Sequence, residues 1–567
     1  MLHTFRLRRQ EGENKVCPLP QAIQENVRPG MAVYATRLAS AQVLELSRQF
    51  WGTRPGFTLI SSVTTGYHVV PIIGSLVKKV ITTNCTNFYP TPGPLPPIQQ
   101  AHRRGELEIE GWSLYTLEQR LMAGALGLGF LPTRSLLGSD IGRENKHAFR
   151  EIDDPFGGPS LGAVKALVPD VGLVHAWAAD PYGNTILPPL YEELWGARAA
   201  ERIVVSVEKV VSTDFIRRHA PLVKIPGYLV SAVCPVPLGA HPWGLPRYPG
   251  MASYAEDYPF LLDLRQACQD PGALAAWVEE WVLKTGTHQA YLSKLGNERA
   301  SRLRERARRG REEIPVPPRD SWNPEEMMVV AAAREVQARV KAQGYRTILS
   351  GVGTGALAAW LSYYLLQEKG YGLALMVGAG EVGFSPRPGE ACLLDIAHMT
   401  TAKMVTDVSE VYGWIVAGRR SQCLSVLGAA MIDKYGNVNS TRNNGQYLIG
   451  SGGANDAANA PEVLAVVRQS RERFLDRVAF ITAPGKNLRT LVSQLGVFQK
   501  DERGELVLTH LLPSPAGISL EERVKQARDN CGWELRVAPQ VTEVAPPTPK
   551  ELLILRHLDA RGFFIGG

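Results

Sequence analysis

Three glycine-rich segments carry residues whose types and spacing suit chemistry on a carbonyl or an anion. In Gly378-Ala379-Gly380-Glu381-Val382-Gly383 a carboxylate stands among glycines, after the apolar run Leu373 to Val377 and before Pro386 and Pro388. At the carboxyl end of a parallel strand, where open α/β sheets place their ligands, Glu381 is a candidate nucleophile or general base; the bland alternative is a solvated loop glutamate. Gly351-Val352-Gly353-Thr354-Gly355 lies between a strand-like and a helix-like run, where free N–H groups and the helix dipole can hold an anion, or where glycines let strand and helix pack closely. Gly450-Ser451-Gly452-Gly453-Ala454-Asn455-Asp456 can present N–H groups to an oxyanion or a phosphate, or is simply a flexible loop. Gly158-Pro159-Ser160-Leu161-Gly162 matches the serine-hydrolase pentapeptide, but the turn Asp153-Asp154-Pro155-Phe156-Gly157 precedes it instead of a strand. No His-Glu-x-x-His or P-loop occurs.

The elements that must position these loops come in two sets. Asp180-Pro181-Tyr182-Gly183-Asn184 recurs as Asp433-Lys434-Tyr435-Gly436-Asn437, each after an apolar run, Val171 to Ala178 and Leu424 to Ile432. Each copy reads as a buried strand entering a turn in which Asp bonds its own backbone and Gly supplies a positive φ. A further strand is expected after each, Arg202 to Glu208 and Arg477 to Thr482. Strands at Met31 to Tyr34, Phe57 to Ser61 and Val80 to Thr82 alternate with helices at Leu38 to Phe50 and Ser113 to Leu126. The later part repeats this with Arg346 to Ser350, a helix from Gly355 to Lys369, and Gly372 to Val377. Strand, turn, helix, strand is the pattern of a parallel sheet, so the expected fold class is α/β, two tandem open parallel-sheet units. An Arg/Pro-rich linker at 305–324 separates a first domain, 1–304, from a second, 325–567. A helix starting at Ser321 or Asn323 with Pro324, and a short surface helix after Ala545 to Lys550, complete the reading.

Composition narrows the classes. The 567 residues, 45% hydrophobic and 21% charged, suit a soluble multidomain protein. The longest apolar run, Val352 to Leu366, is broken by Gly, Thr, Ser and two Tyr, and Met1 to Gln10 leads into no apolar stretch, so a cytoplasmic protein without membrane contact is expected. Seven scattered cysteines, none spaced Cys-x-x-Cys, argue against a disulfide framework or a zinc site. The net charge of +7 and the run Arg302, Arg304, Arg306, Arg308, Arg309, Arg311 read as a solvated helix face, because no aromatic residues interleave for nucleic-acid stacking.

Both Asp-x-Tyr-Gly-Asn turns, Gly428 to Asn439, the loop Gly452 to Asp456, and Phe130-Leu131-Pro132-Thr133-Arg134 with Gly138-Ser139-Asp140 resemble the class I CoA-transferases of the glutaconate type, with α-like and β-like subunits fused. The resemblance implies a coenzyme A thioester as substrate, no permanently bound cofactor, no metal, and as partners an acyl-CoA, a small carboxylic acid and further copies of this chain. It implies CoA transfer between carboxylic acids, with Glu381 as catalytic nucleophile and Gly351, Gly353, Gly355, Gly378, Gly380, Gly452, Gly453 and Ala454 binding CoA or the oxyanion. In the transferases a glutamate opening a Glu-x-Gly loop attacks the thioester. Here its place falls on Gly378, three residues before Glu381. Members lacking that glutamate resemble steroid-ring-opening hydrolases or a 3-methylglutaconyl-CoA decarboxylase. Gly380-Glu381 with Ala417-Gly418-Arg419-Arg420 is similar to the hydrolases, although their α-half glutamate aligns with Leu114. Hydrolysis or decarboxylation is therefore the alternative, and non-catalytic acyl-CoA binding a third reading.

Overall fold

The computed structural model describes residues 11–188, 194–309, 314–316, 319–389, 391–514 and 517–566. Met1 to Gln10, Arg311, Pro317 and Pro318 lie outside the described residues. Two parallel sheets dominate. In the first, Ala32–Ala35 lies between Phe57–Thr64 and Val171–Ala179; Val77–Asn87 and Glu108–Gly111 extend it on one side, Ile203–Val210 and Val230–Pro235 on the other, all parallel. The second repeats that order: Thr347–Ser350 lies between Ala374–Met376 and Cys423–Gly428, followed by Glu462–Val466 and Leu488–Val492. In the first sheet the strand that leads to the recurring turn, Val171–Ala179, neighbours the first strand. In the second the expected single strand Leu424 to Ile432 is two: Cys423–Gly428 neighbours the first strand, while Met431–Asp433, which enters the turn, pairs with Val438–Asn439 and Phe474–Leu475 in a small separate sheet. Every residue of Val171–Ala179 is buried, as expected for a central parallel strand covered on both faces.

The two turns carry the same hydrogen bonds. Asp180 Oδ1 accepts from the N–H groups of Tyr182 and Asn184, at 3.1 and 2.9 Å, and Asp433 Oδ1 accepts from those of Tyr435 and Asn437, at 3.0 and 2.9 Å. Asn184 Oδ1 then accepts from Gly227 N–H at 3.0 Å, and Asn437 Oδ1 from Gly485 N–H at 2.9 Å. Gly227 and Gly485 each open the 3-10 turn that enters the next parallel strand, Val230–Pro235 or Leu488–Val492. The repeated motif therefore locks one strand's exit to another's entry. Gly183 and Gly436 have φ of 95° and 81°, which only glycine adopts without strain.

Helix Pro324–Gln343 starts at a capping box. Asn323 Oδ1 accepts from Glu326 N–H at 2.8 Å, and Glu326 Oε2 accepts from Asn323 N–H at 3.0 Å. Helix Asn297–Arg309 runs across the expected boundary at 304; Arg302 and Arg309 pair with the exposed Glu298 and Glu305, whereas Arg299 pairs with the buried Asp257 and Arg306 lies over Tyr258. Two further expectations are corrected. Arg477 to Thr482 is not a strand; the counterpart of Ile203–Val210 is Glu462–Val466, while Phe480 packs into the first half's cluster around Trp112 and Leu117. The C-terminal helix, Pro549–Leu558, is no surface helix, since Leu552, Leu555 and Leu558 are buried, the last two in the second core.

Candidate functional site

The motifs that carry the family resemblance build the contact between the halves. Asp456 Oδ1 accepts from Ser113 Oγ at 2.7 Å and Oδ2 from Tyr115 N–H at 3.0 Å, capping helix Leu114–Ala125 from across the interface. Gly452 accepts from Leu114 N–H at 3.0 Å and donates to the Thr83 carbonyl at 3.1 Å. Asn455 Oδ1 accepts from Leu136 N–H at 2.8 Å, and Asp140 and Ile481 exchange bonds of 2.9 and 2.6 Å. Burial raises the Asp456 carboxyl to about 6, against the bonds from Tyr115 and Ser113 that favour its ionised form. Because so many backbone groups are satisfied across this surface, cleavage at a protease site introduced near Pro317 is expected to leave the two fragments associated in dilute buffer. Size-exclusion chromatography checks it, and fragments eluting separately would contradict the interface.

Beside these loops lies a cavity of about 160 Å³. Val63, Asn84, Thr86 and Leu114 come from the first half, and Ser350, Gly351, Gly378, Tyr412 and Gly450 to Ala454 from the second. It sits at the carboxyl ends of Thr347–Ser350 and Cys423–Gly428, the position an open parallel sheet gives to ligands. No charged residue is among the described residues that line it. Asn84 Oδ1, Ser350 Oγ and Ser451 Oγ, all on residues more than nine-tenths buried, have no hydrogen-bond partner among the described residues. Buried polar atoms left so are expensive unless something else meets them.

Of the loop residues expected at the site, Gly351, Gly378, Gly452, Gly453 and Ala454 line this cavity, whereas Gly353, Gly355 and Gly380 do not. The N–H groups of Gly351, Gly452 and Ala454 already donate to Val426, Thr83 and Ser451. Those of Gly378, Ala379 and Gly453 have no acceptor among the described residues. Gly355 serves close packing: a Cβ there would lie 3.2 Å from the Gly428 nitrogen. Gly380 has φ of 120° and lies against the Thr406 carbonyl.

Glu381 is the first residue of the strand Glu381–Phe384, 3% exposed, and is not on the cavity wall. Its neighbours are charged groups held between the halves. Burial raises its carboxyl to about 7; Arg37 draws it down and Asp395 pushes it up. Arg37 comes from the loop after Ala32–Ala35 and stacks on Trp243, 5.0 Å from the ring centre. Glu256, raised to about 8 by burial and by Asp395, accepts from Ile396 N–H at 2.9 Å, and Tyr258 Oη donates to Asp395 at 2.8 Å. Ala379 and Leu394 line the cavity, so this cluster is reached through residues adjacent in sequence to its wall. Among the described residues no cluster of His, Cys, Asp or Glu suits a metal, the cysteines are free, and no helix is long and apolar enough to cross a membrane. Reading the sequence overlooks Arg37, Asn84, Ser350 and Tyr412, because nothing in their local spacing marks them, and takes Ser451 only as part of a loop valued for its N–H groups.

A family model described as Coenzyme A transferase matches residues 19–235. A 3-oxoadipate CoA-transferase subunit of Pseudomonas knackmussii is 31% identical over 264 residues, covering 42% of this chain and 95% of that subunit. This chain belongs to the coenzyme A transferase family. A cholesterol ring-cleaving hydrolase IpdA subunit of Rhodococcus jostii is 31% identical over 216 residues, 36% of this chain and 71% of that subunit. The chain spans about half, 53%, of an uncharacterized protein of Archaeoglobus fulgidus that is 32% identical over 247 residues, 42% of this chain. An acyl-CoA transferase structure from E. coli O157:H7 covers 98% of this chain and 99% of its own with a TM-score of 0.65, at 16% identity, so it speaks for the fold alone. The α/β class with two tandem parallel-sheet units is thus that of the class I CoA-transferases.

Proposed function

We propose that this CoA-transferase family enzyme binds the acyl end of a short acyl-CoA in the cavity between its halves and transfers the CoA to a small carboxylic acid. The observation that carries the reading is the cavity wall itself: loops of both halves, unpartnered polar atoms, and no carboxylate among its described residues. At roughly 30 Å³ per water molecule the cavity equals about five waters, which suits a short acyl group with the nucleotide outside. With Glu381 set behind the wall, the attacking carboxylate is the acceptor's own. Its oxygen forms a bond to the thioester carbon, the C–S bond breaks, and CoA leaves as thiolate. The thiolate then attacks the acceptor carbonyl of the mixed anhydride, giving the new thioester and releasing the donor acid. Proximity in a shared cavity supplies much of the acceleration.

The same wall favours a second reading, in which water replaces the acceptor and the thioester or an adjacent C–C bond is cleaved; likeness to the ring-cleaving hydrolase subunit is compatible with it. Chromatography of short acyl-CoAs incubated with the protein separates the two. Transfer yields a new CoA ester only when a carboxylic acid is added, whereas hydrolysis or decarboxylation consumes the ester without one. After borohydride treatment the protein mass is expected to be unchanged. A stable mass change mapped to Glu381 would instead establish the covalent route, and failure of calorimetry to detect binding of any acyl-CoA would remove the reading.

A further inference from the structure

Tyr412 lies in the π-helical segment Ser409–Val416, is 5% exposed, and reaches the cavity wall. Its hydroxyl occupies the space in which two glycines would otherwise carry side chains. A Cβ built on Gly378 would stand 2.0 Å from Tyr412 Oη, and one on Gly453 1.8 Å from it. The hydroxyl makes no hydrogen bond among the described residues, and around it the N–H groups of Gly378, Ala379 and Gly453 are likewise without acceptors. We propose that Tyr412 is a catalytic residue: its hydroxyl, at the cavity wall among these free N–H groups, donates a hydrogen bond to the carbonyl oxygen of the bound acyl thioester.

This inference rests on an acyl-CoA occupying the cavity. When a carboxylate or water attacks the thioester carbon, the C=O electron pair moves onto oxygen, and an O–H already aimed there stabilises that charge without giving up its proton. Burial first, then the Asp456 charge, pushes the Tyr412 phenol above its ordinary range, so it remains protonated and serves as donor and not as base. The role is independent of which nucleophile attacks. Ser350 Oγ and Ser451 Oγ, unpartnered on the same wall, suit the remaining polar atoms of the acyl group.

The experiment is Tyr412→Phe, which removes one oxygen and keeps the ring. With acetyl-, succinyl- and glutaryl-CoA as probes, calorimetry is expected to give affinities within about threefold of wild type, while turnover falls roughly 100- to 1,000-fold, the effect of losing one oxyanion donor. Infrared spectra of carbonyl-¹³C-labelled ester bound to the wild type should show a lowered C=O stretch, and the Phe variant should lose that shift. Ester binding with unchanged turnover and an unchanged stretch in the Phe variant overturns the role of Tyr412 but leaves the acyl-CoA reading standing. If wild type binds none of the esters, both fall together. Thermal melting verifies that the Phe variant is folded. Gly453→Ala, which displaces the same hydroxyl from the other side, provides the second variant and must lose the carbonyl shift as well.

Discussion

At pH 9 the Glu381→Gln variant is expected to be more stable than wild type by about 3 kcal/mol, and at pH 4 the two should be nearly equal. The carboxyl titrates near 7 in the folded chain against an ordinary value of 4.5, and each unit of difference is worth about 1.4 kcal/mol. The shift is upward. Its stabilising share is therefore complete below the unfolded value and is lost as pH rises through 7, where the folded state must hold a buried charge. Glutamine is neutral throughout and avoids that loss. The attraction of Arg37 is already contained in the net shift, so its removal does not reverse the sign. Glu256, raised to about 8, adds a second loss over a higher range in both proteins and largely cancels in their difference. Denaturant titration at the two pH values checks the prediction; a variant less stable at pH 9 would mean that Arg37 and the glutamate form a net favourable pair. Turnover of the variant is expected to remain within about tenfold of wild type, because the carboxylate is separated from the cavity, whereas loss of a covalent nucleophile would eliminate it.

What the sequence discloses depends on whether a feature is local. The Asp-x-Tyr-Gly-Asn turns are legible because Asp, Gly and Asn act on their own backbone within five residues, and both copies fold alike. The strand before the first is legible as a continuous apolar run, and so is Asn323 with Pro324 as a helix start; the run before the second is apolar throughout yet folds as two strands in different sheets, a break that apolar character alone does not mark. Arg477 to Thr482 misleads because Phe480 is buried by the other half and not by a sheet, while Ala479 is exposed, which periodicity cannot distinguish. The glycines at 351 to 355 are read for their N–H groups, yet the close approach of the neighbouring strand decides Gly355. Glu381 is visible as a carboxylate among glycines, but it opens a strand that buries it off the cavity wall, where its charge is felt by Arg37, a residue over 300 positions earlier. Among the cavity's unpartnered groups, Ser350 and Ser451 stand about 100 residues apart in the second half and Asn84 is added only by the docking of the first.

The alanine variants of Gly378 and Gly453 are expected to lose most activity, for a reason that singles out Tyr412. Gly453 has φ of −88°, and Gly378 is not among the residues with positive φ, so alanine meets no backbone strain at either. What it meets is the phenol: the added methyl carbon would overlap Tyr412 Oη at 1.8 or 2.0 Å, far inside van der Waals contact. Tyr412 is packed in the second core, so the ring has little room to withdraw, and relief must come from shifts of the loop or helix. Overpacking of this kind costs about 1–3 kcal/mol of stability. Turnover is expected to drop at least as far as in Tyr412→Phe, since hydroxyl and glycine N–H groups are displaced together. The diagnostic experiment is the cycle with Tyr412→Ala. If the glycine is needed only to admit the ring, Gly453→Ala in the Tyr412→Ala background should cost under about 0.5 kcal/mol, a coupling measurable by denaturant titration. Undiminished destabilisation in that background would place the glycine requirement in the loop itself and leave Tyr412 a bystander. Turnover should stay low in the double variant, because the space is restored but the donor is not.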